Sequence, residues 1–181
     1  MESTGMNTIR KAKLNDIDAV ALIFEHIIEE EEKGNCTTGW QRGVYPTRNT
    51  AVAALENDDL FVMEEDGEII AAMRLNKEQA PEYKNCQWEY SADDDQIMVM
   101  HTLVVEPSVK KHGYGRQMVE FYEKYARENN CPYLRIDTNA LNTRARAMYK
   151  KFGYKEVGIT PCVFNGITGV NLVCIEKKLD L

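Results

Sequence analysis

Apolar side chains recur along the N-terminal part of the chain at two spacings, one typical of strands and one of helices. Residues 8–13 predict a first strand. Between residues 17 and 28, Ile, Val and Phe recur every three or four positions, which predicts a helix with one buried face. Asn15 is placed to cap this helix, and the helix is expected to end near Gly34. A shorter helix is predicted at about 48–57.

The middle of the chain predicts a hairpin followed by a buried strand. Residues 60–64 and 68–75 are apolar runs on either side of Asp66 and Gly67, a dipeptide typical of two-residue hairpin turns. A polar stretch follows the hairpin. Residues 97–105 are then too apolar for an edge strand and predict a central one.

The C-terminal half continues the alternation of strands and helices. An amphipathic helix ends near residue 129, a strand is predicted at 133–138 and a helix at about 142–152. A final strand pair lies within 154–179. This order indicates an α/β or α+β sheet with mixed pairing. Because unpaired strand edges attract partners, a C-terminal pair with exposed edges makes a homodimer plausible.

Composition is that of a soluble globular protein. The 181 residues are 44% apolar and 28% charged, so one domain covering 1–181 is the default expectation. A net charge of −7 argues against a nucleic-acid partner and leaves room for a cationic substrate, although a solvated acidic surface is the commoner explanation. No apolar run is long enough to cross a membrane, and the N-terminus lacks the apolar core of a secretory signal.

The cysteines point to a reducing compartment. They number five, at positions 36, 86, 131, 162 and 174, and none forms a CxxC pair. An odd number without close pairs fits free thiols better than a disulfide framework or a zinc site. The sequence therefore predicts a cytoplasmic protein without a metal.

A basic loop with two glycines separates the central strand from the next helix. Its notable side chains and glycines are Lys110, Lys111, His112, Gly113, Gly115 and Arg116. A helix N-terminus carries unpaired N–H groups and partial positive charge, so this loop is suited to an anion such as phosphate. Two glycines alone are also consistent with an ordinary turn.

The known nucleotide motifs fit this loop poorly. A dinucleotide fingerprint needs a third glycine where Met118 stands, and a P-loop needs Gly-Lys-Ser/Thr after its glycines. Asp137 lies at the distance expected for a ribose-binding acid, but its surroundings along the chain resemble another pattern.

Two motifs together resemble the GCN5-related N-acetyltransferase (GNAT) family. The first is a strand ending before proline and then [QR]-x-x-G-x-[GA], seen here as VVEP followed by KKHGYG at 110–115, with Lys110 in place of Gln or Arg. The second is N-x-x-A-x-x-hydrophobic-Tyr-x-x-x-Gly-aromatic, which begins at Asn142 and places its tyrosine at 149. The opening IRKAKLNDIDAVALI is also similar to the family, so the resemblance spans nearly the whole chain, with its core motif at about 97–154.

The resemblance implies a fold and a co-substrate. The fold is a GNAT-like mixed, mostly antiparallel sheet of six or seven strands, flanked by helices, with a central splayed parallel strand pair. Acetyl-CoA would place its pyrophosphate on the N–H groups of 111–116 and pair its pantetheine arm with the central strand. The implied cofactor-binding residues are Leu103, Val104, Val105, Lys110, Lys111, His112, Gly113, Tyr114, Gly115, Arg116, Asn142, Ala145 and Tyr149.

Tyr149 is the implied catalytic acid. Amine attack on a thioester expels a thiolate, and a phenol with an ordinary pKa near 10 stays protonated at neutral pH and can donate to that sulfur. An N–H near Val104 or Val105 would stabilise the oxyanion. Simple packing of Tyr149 under its helix, and a capping role for Asn142, are the structural alternatives.

The general base has several candidates. His101 lies two residues before Leu103, which predicts that both side chains share one face of the strand. Its ordinary pKa suits proton acceptance, although a histidine in an apolar strand is often a core residue. Glu89 and the acidic run at 93–95 compete with it, and His112 is a poorer candidate.

Trp40, Tyr45 and Trp88 are the predicted substrate-binding residues, or else they close loops onto the core. The sequence thus predicts an acetyl-CoA-dependent N-acetyltransferase acting on a primary amine of a small molecule or peptide. A non-catalytic acyl-CoA-binding regulatory module is the alternative, and a nicotinamide enzyme is a distant third.

Overall fold

The computed structural model describes residues 7–109 and 113–180, which form helices on both faces of one sheet. The strands are β1 (Asn7–Lys11), β2 (Leu60–Glu65), β3 (Glu68–Asn76), β4 (Ile97–Val105), β5 (Tyr133–Asn139), β6 (Lys155–Phe164) and β7 (Ile167–Lys178). The helices are α1 (Ile17–Glu32), α2 (Arg48–Glu56), α3 (Tyr114–Glu128) and α4 (Thr143–Lys151). Short 3-10 turns at Leu14–Asp16, Pro81–Asn85 and Asp94–Gln96 lie in the connections.

The predicted elements match the observed ones closely, with one error at the start of α1. The hairpin between β2 and β3 turns at Asp66 and Gly67, both with positive φ. Asn15, however, lies inside a 3-10 turn rather than at a helix cap. The backbone N–H of Lys13 donates to the Asp16 carboxylate, which also pairs with Arg10, and this contact starts the turn before Asn15.

The sheet order is β1-β2-β3-β4-β5-β7-β6, and β4 and β5 are its parallel neighbours. This confirms the mixed, mostly antiparallel sheet expected from the sequence. Because side chains alternate across a strand, β2 sends Phe61 and Met63 to one face and Leu60 and Val62 to the other. The first face packs against α3 and α4, and the second packs against α1 and α2.

The parallel pair separates after three residue pairs. Ile97, Met98 and Val99 of β4 pair with 133–135 of β5, and the register ends there. The strands therefore diverge toward their carboxyl ends. This split confirms the splayed central pair that the resemblance implied.

The cysteines differ from the expectation of free thiols alone. Cys86 and Cys174, 88 residues apart in sequence, form a disulfide, while Cys36, Cys131 and Cys162 are free thiols. This pair cannot be predicted from the sequence, because its members lie in the β3–β4 connection and in β7, which meet only in the folded chain. None of the helices in the described part of the chain has the length and apolar character needed to cross a bilayer.

Candidate active site

The geometry of the split depends on a bulge in β4. Thr102 has φ of 52°, in the left-handed region that a β-branched residue rarely adopts. At this point β4 has one residue more than β3. His101 pairs with Arg74 and Val104 pairs with Ala72, so two residues of β4 lie opposite one residue of β3. The hydroxyl of Tyr45 is hydrogen-bonded to that of Thr102. The bulge thus bends β4 just beyond the end of its pairing with β5, and Tyr45, a predicted substrate residue, contacts it.

Beyond the bulge, Leu103–Val105 presents its outer edge to the split. Leu103 and Val105 pack toward the α3 face and Val104 packs toward the α1 face, while β3 pairs with the inner edge. Among the described residues, no strand pairs with this stretch on the β5 side. Its backbone groups there can bind an extended ligand in the manner of an added strand.

The start of α3 is the second element that the sequence predicts to bind the cofactor. Gly113 has φ of 97° and directly precedes the helix. Its carbonyl oxygen accepts a 3.0 Å hydrogen bond from the backbone N–H of Gln117. The N–H groups of 113–116 precede that bond and point out of the helix end. Lys110, Lys111 and His112 lie outside the described residues.

Other predicted residues of this element have structural partners. The Tyr114 hydroxyl donates to Glu65 Oε2 at 2.5 Å, and this carboxylate raises the pKa of Tyr114 to about 12. The guanidinium of Arg116 lies 5.0 Å from the ring centre of Phe152. A Cβ on Gly115 would lie 3.2 Å from Met148 Sδ, so a glycine here lets α3 approach α4 closely.

Asn142 caps α4. Its side chain accepts a 3.2 Å hydrogen bond from the backbone N–H of Ala145, which confirms the capping role considered from the sequence. The cap uses Oδ1, and among the described residues the amide Nδ2 makes no hydrogen bond, so it can donate to a ligand. Ala145 itself is partly buried against the α3 face.

Tyr149 lies under the split on the α4 side. It is buried in the cluster that contains Met100 and Ile136, the first residues of β4 and β5 beyond their paired segment. Its ring contacts that of Tyr154 edge-on at 5.8 Å, and within residues 7–109 and 113–180 its hydroxyl has no hydrogen-bond partner. Burial, with a smaller effect of the Asp137 charge, raises the pKa of Tyr149 above its ordinary value. The phenol therefore keeps its proton at neutral pH.

His101 does not share a face with Leu103, so the prediction that they lie on one face was wrong. The bulge at Thr102 reverses the alternation, so Leu103 packs on the α3 face while His101 lies beside Asn76 on the other. His101 Nε2 is 2.8 Å from Asn76 Oδ1. Burial lowers the pKa of His101 to about 4, which makes the imidazole a weak proton acceptor at neutral pH.

The acidic competitors lie at the surface. Glu89 pairs with Lys155 at 3.0 Å through its side chain, and its backbone N–H donates to Glu176 Oε1 at 2.6 Å. The run at 93–95 is exposed and forms a short 3-10 turn before β4.

The predicted substrate residues divide into two groups. Trp40 and Tyr45 contact each other edge-on at 6.1 Å, and Tyr45 reaches the bulge. Trp88 instead packs on the Arg135 guanidinium at 4.2 Å and donates its indole N–H to Tyr83 O. Tyr45 therefore lines the split, whereas Trp88 packs on Arg135 and holds the backbone at Tyr83.

The structure adds two residues that the sequence argument did not assign. Asp137 on β5 accepts a 2.6 Å hydrogen bond from the hydroxyl of Tyr83, which lies in the β3–β4 connection. A carboxylate inside the apolar run of β5 was the available signal, but it was considered only as a ribose ligand.

No group of three or more His, Cys, Asp or Glu side chains in the described residues is arranged to hold a metal ion.

Comparison with known proteins agrees with this geometry. Residues 24–154 match the model of the Acetyltransferase (GNAT) family. The uncharacterized N-acetyltransferase YhfO of Bacillus subtilis strain 168 is 26% identical over 150 residues, which cover 82% of this chain and 89% of YhfO. A GNAT-family acetyltransferase of Streptococcus agalactiae has a TM-score of 0.80 at 21% identity, covering 97% of this chain and 96% of its own. The yncA acetyltransferase of Salmonella typhimurium, solved with its cofactor acetyl-CoA, has a TM-score of 0.68 at 17% identity, covering 96% and 94%.

Proposed function

This chain belongs to the GNAT acetyltransferase family, and we propose that it transfers the acetyl group of acetyl-CoA directly to a primary amine of a small molecule or peptide. The observation that carries the proposal is the split between β4 and β5, with the hydroxyl of Tyr149 below it and without a hydrogen-bond partner in the described residues. An acyl thioester in the split would meet a proton donor where its sulfur leaves.

Acetyl-CoA fits the residues around the split. Its phosphates would bind the N–H groups at the start of α3, where Gly113 adds no side chain. Its pantetheine arm would pair with Leu103–Val105. If the arm ran from the helix start back along β4, the thioester would lie next to Thr102. Asn142 would donate to the cofactor through Nδ2, since its Oδ1 holds the helix cap.

The reaction needs three contributions from the protein. A base removes a proton from the ammonium form of the acceptor, and the neutral amine attacks the thioester carbon. Backbone N–H near Val104 or Val105 stabilises the oxyanion that forms. When the carbon–sulfur bond breaks, Tyr149 donates its proton to the thiolate. His101 is one of several base candidates from the sequence, and its low pKa makes it a weak proton acceptor.

Three further expectations accompany this function. The chain acts as one N-acetyltransferase domain over 1–181. A homodimer would use β6, the sheet edge at which Ile159 and Val163 are 53% and 58% exposed. A cytoplasmic location remains a prediction from the sequence, and in that compartment Cys86 and Cys174 would be reduced to two thiols.

Thermal unfolding with acetyl-CoA, CoA and NAD, followed by thiol release with primary amines, tests the proposal. A ligand that binds the folded state raises the unfolding midpoint. Shifts with the CoA species, together with amine-dependent thiol release, support the enzyme. A shift without any release favours the regulatory module, a shift with NAD alone favours a nicotinamide enzyme, and no shift at millimolar acetyl-CoA overturns acetyl-CoA binding.

A further inference from the structure

We propose that Asp137 binds the ammonium group of the acceptor and accepts its proton, that Tyr83 positions this carboxylate, and that the acceptor is a small primary amine with an apolar body and no carboxylate. The inference rests on the proposed acetyl transfer and deepens it, because it assigns the base and the substrate class.

Asp137 lies at the point where the strands separate. It follows Arg135, the last β5 residue that pairs with β4, by two positions. Ile136 points into the cluster under α3 and α4, so Asp137 faces the opposite side of the sheet. Tyr149 belongs to the α4 side. The two side chains therefore flank the split from opposite faces, as a base and an acid on the two sides of a thioester should.

Tyr83 fixes the direction of the carboxylate. It is only 2% exposed, and its hydroxyl donates to Asp137 Oδ2 at 2.6 Å. The indole N–H of Trp88 donates to Tyr83 O at 2.8 Å and holds the backbone of this turn. Burial and the nearby carboxylate keep the pKa of Tyr83 well above its ordinary value. The phenol therefore remains the donor and leaves Asp137 Oδ1 for a ligand.

The segment that carries Tyr83 is attached to the strand beside Asp137. Cys86, three residues after Tyr83, is joined by the disulfide to Cys174, and Cys174 is the β7 residue opposite Asp137. Arg135 donates to Gln79 Oε1 at 2.7 Å and to Tyr90 O at 3.0 Å, which ties both ends of the segment to β5. The two Arg135 hydrogen bonds hold this segment whether or not the disulfide is formed. The Tyr83–Asp137 contact is thus built into the sheet rather than made by a loose loop.

The Asp137 carboxylate has no cationic partner in the described part of the chain. Within residues 7–109 and 113–180, no Lys, Arg or His forms an ion pair with Asp137, and its hydrogen bond comes from a neutral phenol. Buried charges in proteins are normally paired, so a partly buried carboxylate of this kind favours a cationic ligand. Partly buried apolar side chains packed on the same face are Trp40, Tyr45, Cys162 and Phe164. Aromatic rings beside a carboxylate suit an ammonium group with an apolar body. A carboxylate on the carbon next to that ammonium would lie close to Asp137 and be repelled by its negative charge, so the site disfavours amino acids.

The electrostatic surroundings favour proton acceptance near neutral pH. Burial and, to a smaller extent, the Glu82 charge raise the pKa of Asp137 to about 6, against the lowering effect of the Tyr83 hydrogen bond. Titratable and charged groups that face it from the packed elements are Tyr83 and Glu82, Tyr45, Tyr149, Cys162 and, on its own strand, Arg135. At pH 7 the group is mostly ionised and is a stronger base than an ordinary carboxylate.

The protons balance as follows in the proposed step. Asp137 takes one proton from the ammonium, and the amine nitrogen then forms a bond to the thioester carbon. As the carbon–sulfur bond breaks, the thiolate takes the Tyr149 proton, and the nitrogen loses its second proton to the tyrosinate. Asp137 returns its proton to solvent, so the products are the amide, the thiol and one released proton.

Protonation of Asp137 also prepares the acid. The negative charge of Asp137 raises the pKa of Tyr149, so neutralising that charge lowers it again. The phenol becomes a better donor in the state in which the thiolate leaves.

The experiment compares wild type with Asp137→Asn and Tyr83→Phe, using acetyl-CoA and either 2-phenylethylamine or phenylalanine. Wild type should acetylate 2-phenylethylamine in preference to phenylalanine, with kcat/KM about tenfold lower at pH 5 than at pH 7 because Asp137 is then protonated. Asp137→Asn should lower kcat/KM by about 10²–10⁴-fold and abolish this acidic limb. Tyr83→Phe should move the limb to higher pH, since the lost hydrogen bond had lowered the pKa of Asp137.

Controls separate this inference from the proposed function. Asp180→Asn changes an exposed carboxylate and should behave as wild type. For each variant, the unfolding midpoint shows whether the protein folds, and its shift with acetyl-CoA shows whether the cofactor binds. Loss of acetyl-CoA binding by wild type refutes the proposed function itself. An unchanged acidic limb in Asp137→Asn, or in Tyr83→Phe if the first variant does not fold, overturns the role of Asp137. Preference for phenylalanine, or acetylation of neither amine by protein that binds acetyl-CoA, overturns the substrate class.

Discussion

The hydroxyl of Tyr122, on α3, donates a 2.5 Å hydrogen bond to the carbonyl oxygen of Met98, on β4. The same hydroxyl lies 3.3 Å from the carbonyl oxygen of Arg135, the last β5 residue that pairs with β4. All three residues are buried. Tyr122 thus joins the two strands just before they separate, and it defines where the split begins.

Tyr122→Phe should lower the free energy of unfolding by about 1–3 kcal/mol, because a buried carbonyl loses its donor. Urea unfolding measures the loss. Tyr125→Phe is the matched control, since Tyr125 lies one turn along on the same helix and its hydroxyl makes no hydrogen bond in the described residues. Equal losses in the two variants would contradict a special role for Tyr122.

Tyr149→Phe should lower kcat by about 10²–10⁴-fold while acetyl-CoA binding is retained, because only the proton donor is removed. Steady-state thiol release and the thermal shift with acetyl-CoA measure the two quantities. Tyr154→Phe alters the neighbouring ring, 5.8 Å away, and should keep the wild-type rate. Undiminished turnover in Tyr149→Phe would exclude the acid role.

Gly113→Ala should weaken acetyl-CoA binding and destabilise the fold by about 1 kcal/mol, since φ of 97° is costly for a residue with a Cβ. Gly34→Ala is the matched control, because Gly34 has φ of 79° and equally open surroundings after α1. Both variants should lose similar stability, as measured by thermal unfolding. The helix-start site would be refuted if their affinities for acetyl-CoA were equal.

Reduction of the Cys86–Cys174 disulfide should destabilise the protein by about 2–4 kcal/mol, because the bond closes a long stretch of chain between residues 88 apart. Thermal unfolding with and without a phosphine reductant measures this change. Cys36→Ser removes a free thiol and should keep the full response to reductant. Cys86→Ser should show no response, and a response in that variant would point to a different pair.

His101 should make stability depend on pH. Its folded-state pKa of about 4 lies below the ordinary 6.5, so the unfolded state binds the proton first as pH falls. Its contribution is complete above pH 6.5 and falls by about 2 kcal/mol between pH 7.5 and pH 5. His101→Gln keeps a donor for Asn76 without titrating, so its urea stability should decline less over this range. A parallel decline in both proteins would show that His101 is not the titrating group.

Local patterns in the sequence determined most of the secondary structure. The bounds of β4 and the turn at Asp66 and Gly67 follow from apolar runs and from residues that tolerate positive φ, and both are properties of neighbouring positions. The two family motifs are also local patterns, and the resemblance they support implied the split between β4 and β5. The predicted cap at Asn15 was wrong, because Asp16 instead accepts from the backbone N–H of Lys13 and pairs with Arg10 across the turn.

Only the tertiary structure decided which face His101 occupies and which residues meet beside the split. The bulge at Thr102 reverses the side-chain alternation of β4, so a count of positions put His101 on the wrong face. Tyr83 and Asp137 are 54 residues apart in sequence, and nothing in either segment predicts that they meet. Periodicity reports which side chains are buried, because burial repeats along an element. It cannot report which distant side chains share a site, because sheet order and chain crossings set those distances.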